Sequence, residues 1–220
     1  MATARAQRIG IWIIAIVMAV GTIGSFIVIV LSTSNQKTDD ARKAELTAEY
    51  QKEYTDYQAK VAAQATELSK KYFDEFNQYA TVPAAFDKDG VTELKTSDLK
   101  VGDGDELTAG ASFTAYYIGW NPDGKVFDGS IEGTSLKAPY SVEGVGSVIE
   151  GWTDGVVGMK VGGVRELTIP SDKAYGETGR GADIPANTPI KFIVMVIPTP
   201  EKIAAPQPSA ELLKYYPAQG

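Results

Sequence analysis

The chain has 220 residues, 44% of them apolar, and a formal net charge of −7. It contains neither cysteine nor histidine, which excludes disulfides, thiolate metal sites, catalytic thiols and any relay that needs an imidazole base. The acidic excess falls within residues 85–197, which hold 17 acidic and 10 basic residues. An acidic domain argues against a nucleic-acid partner, and we expect no metal and no cofactor.

The first element in chain order is an apolar run over residues 9–31, 23 residues without a charge. A helix of this length crosses the ~30 Å hydrocarbon core of a bilayer. Arg5 and Arg8 precede the run, so residues 1–8 are expected to stay cytoplasmic. Because the run is long and no A-x-A pattern follows it, an uncleaved signal-anchor is favoured over a cleaved signal. We expect a single-pass cell-membrane protein whose remaining residues lie outside the cytoplasm.

Residues 37–80 contain no glycine or proline, which predicts a long helical stalk. Its apolar residues repeat with steps of 4, 4 and 3, an eleven-residue period that favours a nearly straight helix. These residues are Leu46, Tyr50, Tyr54, Tyr57, Val61, Ala65, Leu68, Tyr72, Phe76 and Tyr79. The favoured role of this stripe is packing on the neighbouring domain or on a second copy, so a homodimer through the stalk or the transmembrane helix is one expected assembly. The alternative is an arm that binds unfolded clients.

From residue 85 the texture changes to short β-branched runs separated by Gly, Asp and Pro turns: VTELKT, SFTAYYIGW, KVFDGS, VRELTIP and IKFIVMVI. This pattern predicts a mainly antiparallel sheet with one short helix near Trp152. Residues 198–220 are rich in proline and predict an extended tail in which Ser209 caps one helical turn.

Several of these segments together resemble the FKBP-type peptidyl-prolyl cis-trans isomerases. The motifs are DGKVFD, VI-x-GW, GMKVGG, TIP and AYG, in the order and at the spacing of that family. The resemblance covers about half the chain, from near Val91 to Ile197, and residues 85–197 are predicted to form the isomerase domain. It implies an α+β fold, an antiparallel half-barrel wrapped around one short helix. It also implies an isomerase that acts on proline-containing polypeptides and a pocket able to bind macrolide inhibitors.

Carried over by position, the resemblance implies a set of site residues. The catalytic set is Tyr117, Phe127, Asp128, Trp152, Tyr175 and Phe192, and the substrate-binding set is Tyr140, Val148, Ile149 and Ile184. Trp152 is expected to form the pocket floor. The backbone N–H of Ile149 and the hydroxyl of Tyr175 are expected to bond ligand carbonyls. On this reading Gly151, Gly155 and Gly158 keep bulk away from close backbone contacts.

The sequence departs from the common family pattern in four places. Tyr140 stands where phenylalanine is usual, and the segment between Phe127 and Tyr140 is longer, which suggests altered access to the pocket. Asp183 replaces an apolar residue and is expected to weaken the binding of apolar clients or macrolides. Arg180 occupies a position that varies.

The function that follows is a folding catalyst that accelerates X-Pro rotation in secreted or surface proteins. Such catalysis suits a chain without His or Cys, because rotation about the prolyl bond requires no acid, base or nucleophile. Two alternatives stay open. The first is an FKBP-fold binding module with little isomerase activity, and the second is chaperoning by the tyrosine-rich helix.

Overall fold

The computed structural model describes residues 37–144 and 146–216. Within them the chain divides into two compact units, one comprising residues 37–57 with 205–216 and the other residues 58–204. Of the helices in this part of the chain, none combines the length and apolar composition of a membrane span. The predicted signal-anchor at residues 9–31 lies outside the described residues.

The described residues form three α-helices, eight strands and a 3₁₀ turn. In chain order they are α1 (Lys37–Asn77), β1 (Lys95–Lys100), β2 (Phe113–Trp120), β3 (Val126–Gly129), β4 (Ile131–Glu132), β5 (Ser135–Leu136), β6 (Tyr140–Val142), α2 (Glu150–Gly155), β7 (Val164–Ile169), the 3₁₀ turn (Ser171–Lys173), β8 (Ile190–Ile197) and α3 (Ala210–Leu213).

The larger unit is built on an antiparallel sheet, as the sequence predicts. Its strand order is β1-β7-β8-β2-β3, and β6 also pairs with β2. The central strands β2 and β8 pair over seven residue positions, from Thr114 opposite Ile197 to Trp120 opposite Lys191. Both strands are apolar on almost every residue, which is typical of strands buried on both faces.

Alternation along β2 divides its side chains between two hydrophobic clusters. Phe113, Ala115 and Tyr117 belong to the cluster that contains Trp152 of α2, which we call the inner face. Tyr116 and Ile118, with Trp120, belong to the opposite cluster, which we call the outer face. The half-barrel around one short helix is therefore present as predicted, and its outer face is covered as well.

The outer face is covered by the last turns of α1. Phe76 is fully buried in the outer cluster, and Tyr72 and Tyr79 pack against it. The ring of Tyr116 lies 6.1 Å from each of the rings of Tyr72 and Phe76. For this part of the predicted stripe, packing on the neighbouring domain is confirmed. The unit accordingly begins at Gln58, upstream of the boundary that the family resemblance suggests.

The longer segment between Phe127 and Tyr140 folds into the β4–β5 hairpin. Leu136 is buried in the outer cluster, and its N–H donates to Ser69 Oγ of α1 at 2.7 Å. The segment thus binds the covering helix, and residues 129–139 contribute no side chain to the cavity described below. We expected this longer segment to alter access to the pocket, but its position away from the cavity lining does not support that expectation.

The short helix α2 lies close against β7 because two of its residues lack side chains. A Cβ on Gly151 would lie 2.3 Å from Ile169 Cγ2, and one on Gly155 would lie 2.8 Å from Leu167 Cδ2. The sequence predicted that these glycines make room for neighbouring backbone. The atoms that a Cβ would meet belong instead to side chains of the sheet. Gly158 has open space and a φ of +76°, so its role is to reverse the chain after the helix.

Arg165 of β7 joins the end of α2 to the edge of the sheet. Its Nη1 donates to the carbonyl oxygens of Gly155 and Val157 at 2.9 Å each. Its Nε and Nη2 donate to the two carboxylate oxygens of Asp98 on β1. The last carbonyls of a helix need such donors, and the Arg165 side chain that supplies them is only 10% exposed.

The smaller unit joins the first turns of α1 to the C-terminal segment. Arg42 donates from Nε and Nη2 to the two oxygens of Glu211, at 2.9 Å each. Ser209 Oγ accepts from the N–H of Leu212 at 3.1 Å. The predicted N-cap is thus present, and the helical turn it starts is α3.

Candidate active site

A cavity of about 450 Å³ opens between α2 and the inner face of the sheet. Its lining is mostly aromatic and aliphatic, with a few polar groups, a composition typical of small-ligand sites. The lining residues are Tyr117, Phe127, Asp128, Tyr140, Gly146, Ser147, Val148, Ile149, Trp152, Tyr175, Arg180 and Phe192.

Trp152 lies at the centre of the aromatic lining. Trp152 is 4% exposed. The ring centroids of Phe192, Tyr117 and Tyr140 lie 5.2, 5.4 and 6.4 Å from that of Trp152, with interplanar angles of 80–88°. Edge-to-face geometry of this kind is favourable for aromatic pairs. The indole is therefore in edge-to-face contact with one ring from each of three strands, β8, β2 and β6.

The phenylalanine pair of the cavity depends on a glycine in β2. Phe127 and Phe192 meet edge-to-face with their ring centroids 5.6 Å apart. A Cβ on Gly119 would lie 2.4 Å from the ring of Phe192 and 2.8 Å from that of Phe127. Gly119 therefore leaves the space that these two rings occupy.

Asp128 and Tyr117 form a bonded pair on the cavity wall. The Tyr117 hydroxyl donates to Asp128 Oδ2 at 2.8 Å, and the Gly129 N–H donates to Asp128 Oδ1 at 2.8 Å. Burial and the bond to Asp128 raise the pKa of Tyr117 well above its usual range. The phenol therefore stays protonated at any ordinary pH, and its proton is committed to Asp128.

The N-terminal end of α2 contributes a backbone donor. Ile149 is the N-cap, and its carbonyl oxygen accepts from the N–H of Trp152 at 3.0 Å. The N–H of Ile149 itself donates to no acceptor among the described residues. Ile149 lines the cavity, so this N–H is a backbone donor at the rim that no described protein group uses.

Tyr175 supplies a hydroxyl whose acceptor side is already used. Arg180 Nη1 donates to Tyr175 Oη at 2.7 Å, and its Cζ lies 5.4 Å from the centroid of the Tyr175 ring. A phenol has one donor and two acceptor positions. With the guanidinium on an acceptor position, the O–H proton remains available for a ligand carbonyl.

Nine of the ten residues predicted for the site lie together around this cavity. The tenth, Ile184, is 2% exposed in the inner cluster and lies outside the lining of the cavity. Three lining residues were absent from the predicted set: Gly146, Ser147 and Arg180. The position of Arg180 shortly after the AYG motif could have indicated that it lies at the site. No pattern in the sequence indicates this for Gly146 or Ser147.

Asp183 does not contribute to the lining of the cavity. Its carboxylate pairs with Lys125 Nζ at 2.5 Å, and its backbone oxygen accepts from Asn121 Nδ2 at 3.0 Å. The charge is thus paired on the outside of the loop. Asp183 was expected to weaken the binding of apolar ligands, but its side chain does not line the cavity in which they would bind.

Comparison with known proteins places this site in a family. The family model for FKBP-type peptidyl-prolyl cis-trans isomerases matches residues 104–197. The FK506-binding protein of Neisseria meningitidis serogroup A is 41% identical over 105 residues, which are 47% of this chain and 94% of the relative. FK506-binding protein 4 of Dictyostelium discoideum is 42% identical over 105 residues, 47% of this chain and 28% of that longer protein.

A solved structure is also similar. The crystal structure of a peptidyl-prolyl cis-trans isomerase from Pseudomonas syringae pv. tomato is 28% identical and covers 62% of this chain and 93% of its own, with a TM-score of 0.42. The sequence identity to the Neisseria protein over nearly its whole length is the stronger finding. The chain belongs to the FKBP-type peptidyl-prolyl cis-trans isomerase family.

Proposed function

We propose that this chain is a bacterial, membrane-anchored folding catalyst that accelerates X-Pro rotation in secreted or surface proteins outside the cytoplasm. The observation that carries the proposal is the aromatic cavity over Trp152 with two donors at its rim, the Ile149 N–H and the Tyr175 hydroxyl. The charge-free run at residues 9–31 behind Arg5 and Arg8 supports the anchor and its orientation. The Neisseria relative supports a bacterial source.

The cavity favours the transition state of rotation by its apolarity. The planar prolyl amide is conjugated and polar, and the barrier to its rotation is ~18–20 kcal/mol. A dry aromatic site stabilises the twisted amide, which has lost conjugation and part of its dipole, relative to the planar one. Each ~1.4 kcal/mol of this difference accelerates rotation about tenfold. No covalent intermediate and no proton transfer are required.

The rim donors position the peptide around the proline ring. The Ile149 N–H and the Tyr175 O–H bond backbone carbonyls on either side of the ring, which then lies on Trp152. Asp128 holds the Tyr117 ring against the cavity through the 2.8 Å hydrogen bond, and its carboxylate also bonds the Gly129 N–H. Both ties keep the wall rigid, so little ordering cost remains when a peptide binds.

The same cavity is proposed to bind macrolide inhibitors. The relatives are named FK506-binding proteins, and the cavity volume lies within the range of small-ligand sites, about 300–1,000 Å³. In this proposal residues 85–197 are the isomerase domain and residues 198–220 are the C-terminal tail. Residues 37–80 remain the proposed stalk, and its homodimer remains a proposal for the part that precedes Gln58.

The structure favours catalysis over the two alternatives. A binding module would be favoured by departures from the family pattern that change the cavity, yet neither Asp183 nor the longer segment before Tyr140 contributes to the lining. The chaperone hypothesis needs a free tyrosine stripe, yet Tyr72 and Tyr79 already pack on the outer face. Both observations weigh against a function in which isomerase activity is small or secondary.

The test is an NMR exchange assay with the purified full chain in detergent micelles and a proline tetrapeptide. Uncatalysed exchange takes ~10–100 s, and the chain is expected to shorten it strongly. Asp128→Ala and Tyr175→Phe should reduce the effect. An exchange rate equal to that of the peptide alone would contradict the proposal. A periplasmic reporter fused after residue 220 tests the orientation, since an inactive fusion would exclude an extracytoplasmic domain.

A further inference from the structure

Arg180 is the feature of the cavity that neither the motifs nor the mechanism above accounts for. It is the single basic side chain among the described residues that line the cavity. Within the described part of the chain no carboxylate lies within ion-pair distance of its guanidinium. Its one side-chain hydrogen bond goes to the Tyr175 hydroxyl.

The loop holds Arg180 in place. The Arg180 N–H donates to the Ile184 carbonyl oxygen at 2.6 Å, and the Gly179 N–H donates to the Tyr175 carbonyl oxygen at 3.0 Å. The guanidinium also lies over the Tyr175 ring, 5.4 Å from its centroid. Because the Arg180 backbone is hydrogen-bonded and its guanidinium lies over a ring, the side chain loses little conformational entropy when it binds a ligand.

The remaining donors of Arg180 are directed to no protein acceptor in the described residues. A guanidinium has five N–H donors, and Tyr175 uses one of them. Asp128, the one carboxylate among the described lining residues, has both oxygens bonded, one to the Tyr117 hydroxyl and one to the Gly129 N–H. A carboxylate brought by the ligand is the partner that a guanidinium binds best, because the two planar groups match in geometry.

We propose that Arg180 gives this isomerase a preference for polypeptides in which an acidic residue flanks the proline. The inference rests on the proposed function, because it places the substrate in the same cavity. Arg180 neighbours Tyr175, which bonds a backbone carbonyl of the bound peptide, so the side chain next to that carbonyl lies within reach of the guanidinium. The rest of residues 85–197 is acidic, so this local contact is the source of the preference, not the overall charge.

The experiment measures exchange rates by NMR for two pairs of blocked tetrapeptides with the full chain. One pair carries Glu or Gln immediately before the proline, and the other carries them immediately after it. Glu and Gln have the same shape, so their ratio reports charge alone. A partly solvated charge-assisted pair should favour Glu about threefold to tenfold in kcat/KM in at least one pair of peptides.

The variants assign the preference to one residue. Arg180→Gln should bring the Glu/Gln ratio close to one, and the ratio is insensitive to any general loss of activity through Tyr175. Arg180→Lys should keep part of the ratio, because the charge remains while the fork is lost. The matched control is Lys125→Gln, which removes the same charge from a residue that pairs with Asp183 outside the cavity and should leave the ratio unchanged.

Two results would overturn the inference: a ratio near one in both peptide pairs, or a preference for Glu that survives Arg180→Gln. Failure of the proposed function has a different signature, since neither Glu nor Gln peptides would then exchange faster than they do alone. In that case dissociation constants from chemical-shift titration of the same peptides give the Glu/Gln ratio, and the same two results apply.

Discussion

At the scale of single residues, two of the three tyrosines that line the cavity differ in the hydrogen bonding of their hydroxyls. The Tyr175 hydroxyl accepts from Arg180 and keeps its proton free. The Tyr140 hydroxyl makes no hydrogen bond within the described residues, and Tyr140 is 43% exposed. Substitution of either tyrosine by phenylalanine removes one hydroxyl oxygen, so each variant serves as the control for the other.

We expect Tyr175→Phe to lower kcat/KM about fivefold to tenfold, because one hydrogen bond to the peptide carbonyl is worth about 1–1.5 kcal/mol. Tyr140→Phe, which installs the residue usual in the family, should change kcat/KM less than twofold. The measurement is the NMR exchange rate with a neutral peptide. Equal losses in the two variants would show that the Tyr175 hydroxyl has no special role.

Tyr116 presents the opposite case, a buried hydroxyl without a partner. It is fully buried in the outer cluster, and no acceptor or donor in the described residues bonds its oxygen. Burial raises its pKa from 10.0 to about 12. An unsatisfied buried hydroxyl costs free energy, so Tyr116→Phe should raise the free energy of unfolding by about 1 kcal/mol.

The raised pKa of Tyr116 also predicts an alkaline effect with a definite sign. Its folded pKa, about 12, lies above its unfolded value of 10.0, so the unfolded chain releases this proton first. Stability from this group is therefore complete below pH 10 and is lost as pH rises toward 12, at up to ~1.4 kcal/mol per pH unit. Urea unfolding at pH 9 to 11.5 should show a smaller decline for Tyr116→Phe than for the unaltered chain. Parallel curves would contradict it.

At the scale of elements, the position of α2 depends on Arg165. This helix has six residues, too few to be stable alone, so its orientation comes from contacts with β7. The Arg165 fork ties the carbonyls of Gly155 and Val157 to the carboxylate of Asp98. Trp152 lies on the same helix, so these bonds also position the cavity floor.

We expect Arg165→Lys to lower the free energy of unfolding by about 1–3 kcal/mol, because one ammonium cannot replace a buried four-bond fork. The matched control is Arg42→Lys in the smaller unit, where the ion pair with Glu211 is solvent-exposed and the change should be hard to detect. Urea unfolding followed by tryptophan fluorescence measures both. Similar behaviour of the two variants would mean that the Arg165 contacts are not specific.

The elements also show how far the sequence could predict the site. The short β-branched runs predicted the sheet and α2, and the family resemblance implied nine residues of the cavity lining. They could not assign Ile184, since a buried residue and a lining residue share the same apolar pattern. They could not locate the ion pair of Asp183 with Lys125 either, because the two lie 58 positions apart and pair only through the folded loop.

At the scale of the larger unit, α1 is part of the domain and not only a spacer. Phe76 has no exposed surface, and its ring contacts both Tyr79 and Tyr116. The eleven-residue stripe predicted a packed face and left its partner open between the neighbouring domain and a second copy, because a repeat shows only which residues share a side of the helix. The β4–β5 hairpin, read from the sequence as an access loop, adds the bond from Leu136 to Ser69.

Phe76→Ala should therefore lower the free energy of unfolding by about 3–5 kcal/mol, the usual cost of emptying a buried aromatic site. Asp74→Ala, an exposed position two residues earlier on the same helix, is the control and should change little. Thermal and urea unfolding of the full chain measure the difference. A small effect of Phe76→Ala would mean that the last turns of α1 are dispensable to the domain.

The alternation of β2 limits how this family member can change. One set of its residues, including Tyr117, serves the cavity, and the next set, including Tyr116, lies beneath α1. Insertion or deletion of one residue in β2 would exchange the two sets, so that catalysis and helix docking would be lost together. The turn before Tyr140 carries no such constraint and has gained a hairpin. A change of length is therefore tolerated better in that loop than in β2, where only substitution preserves the division of side chains between the two faces.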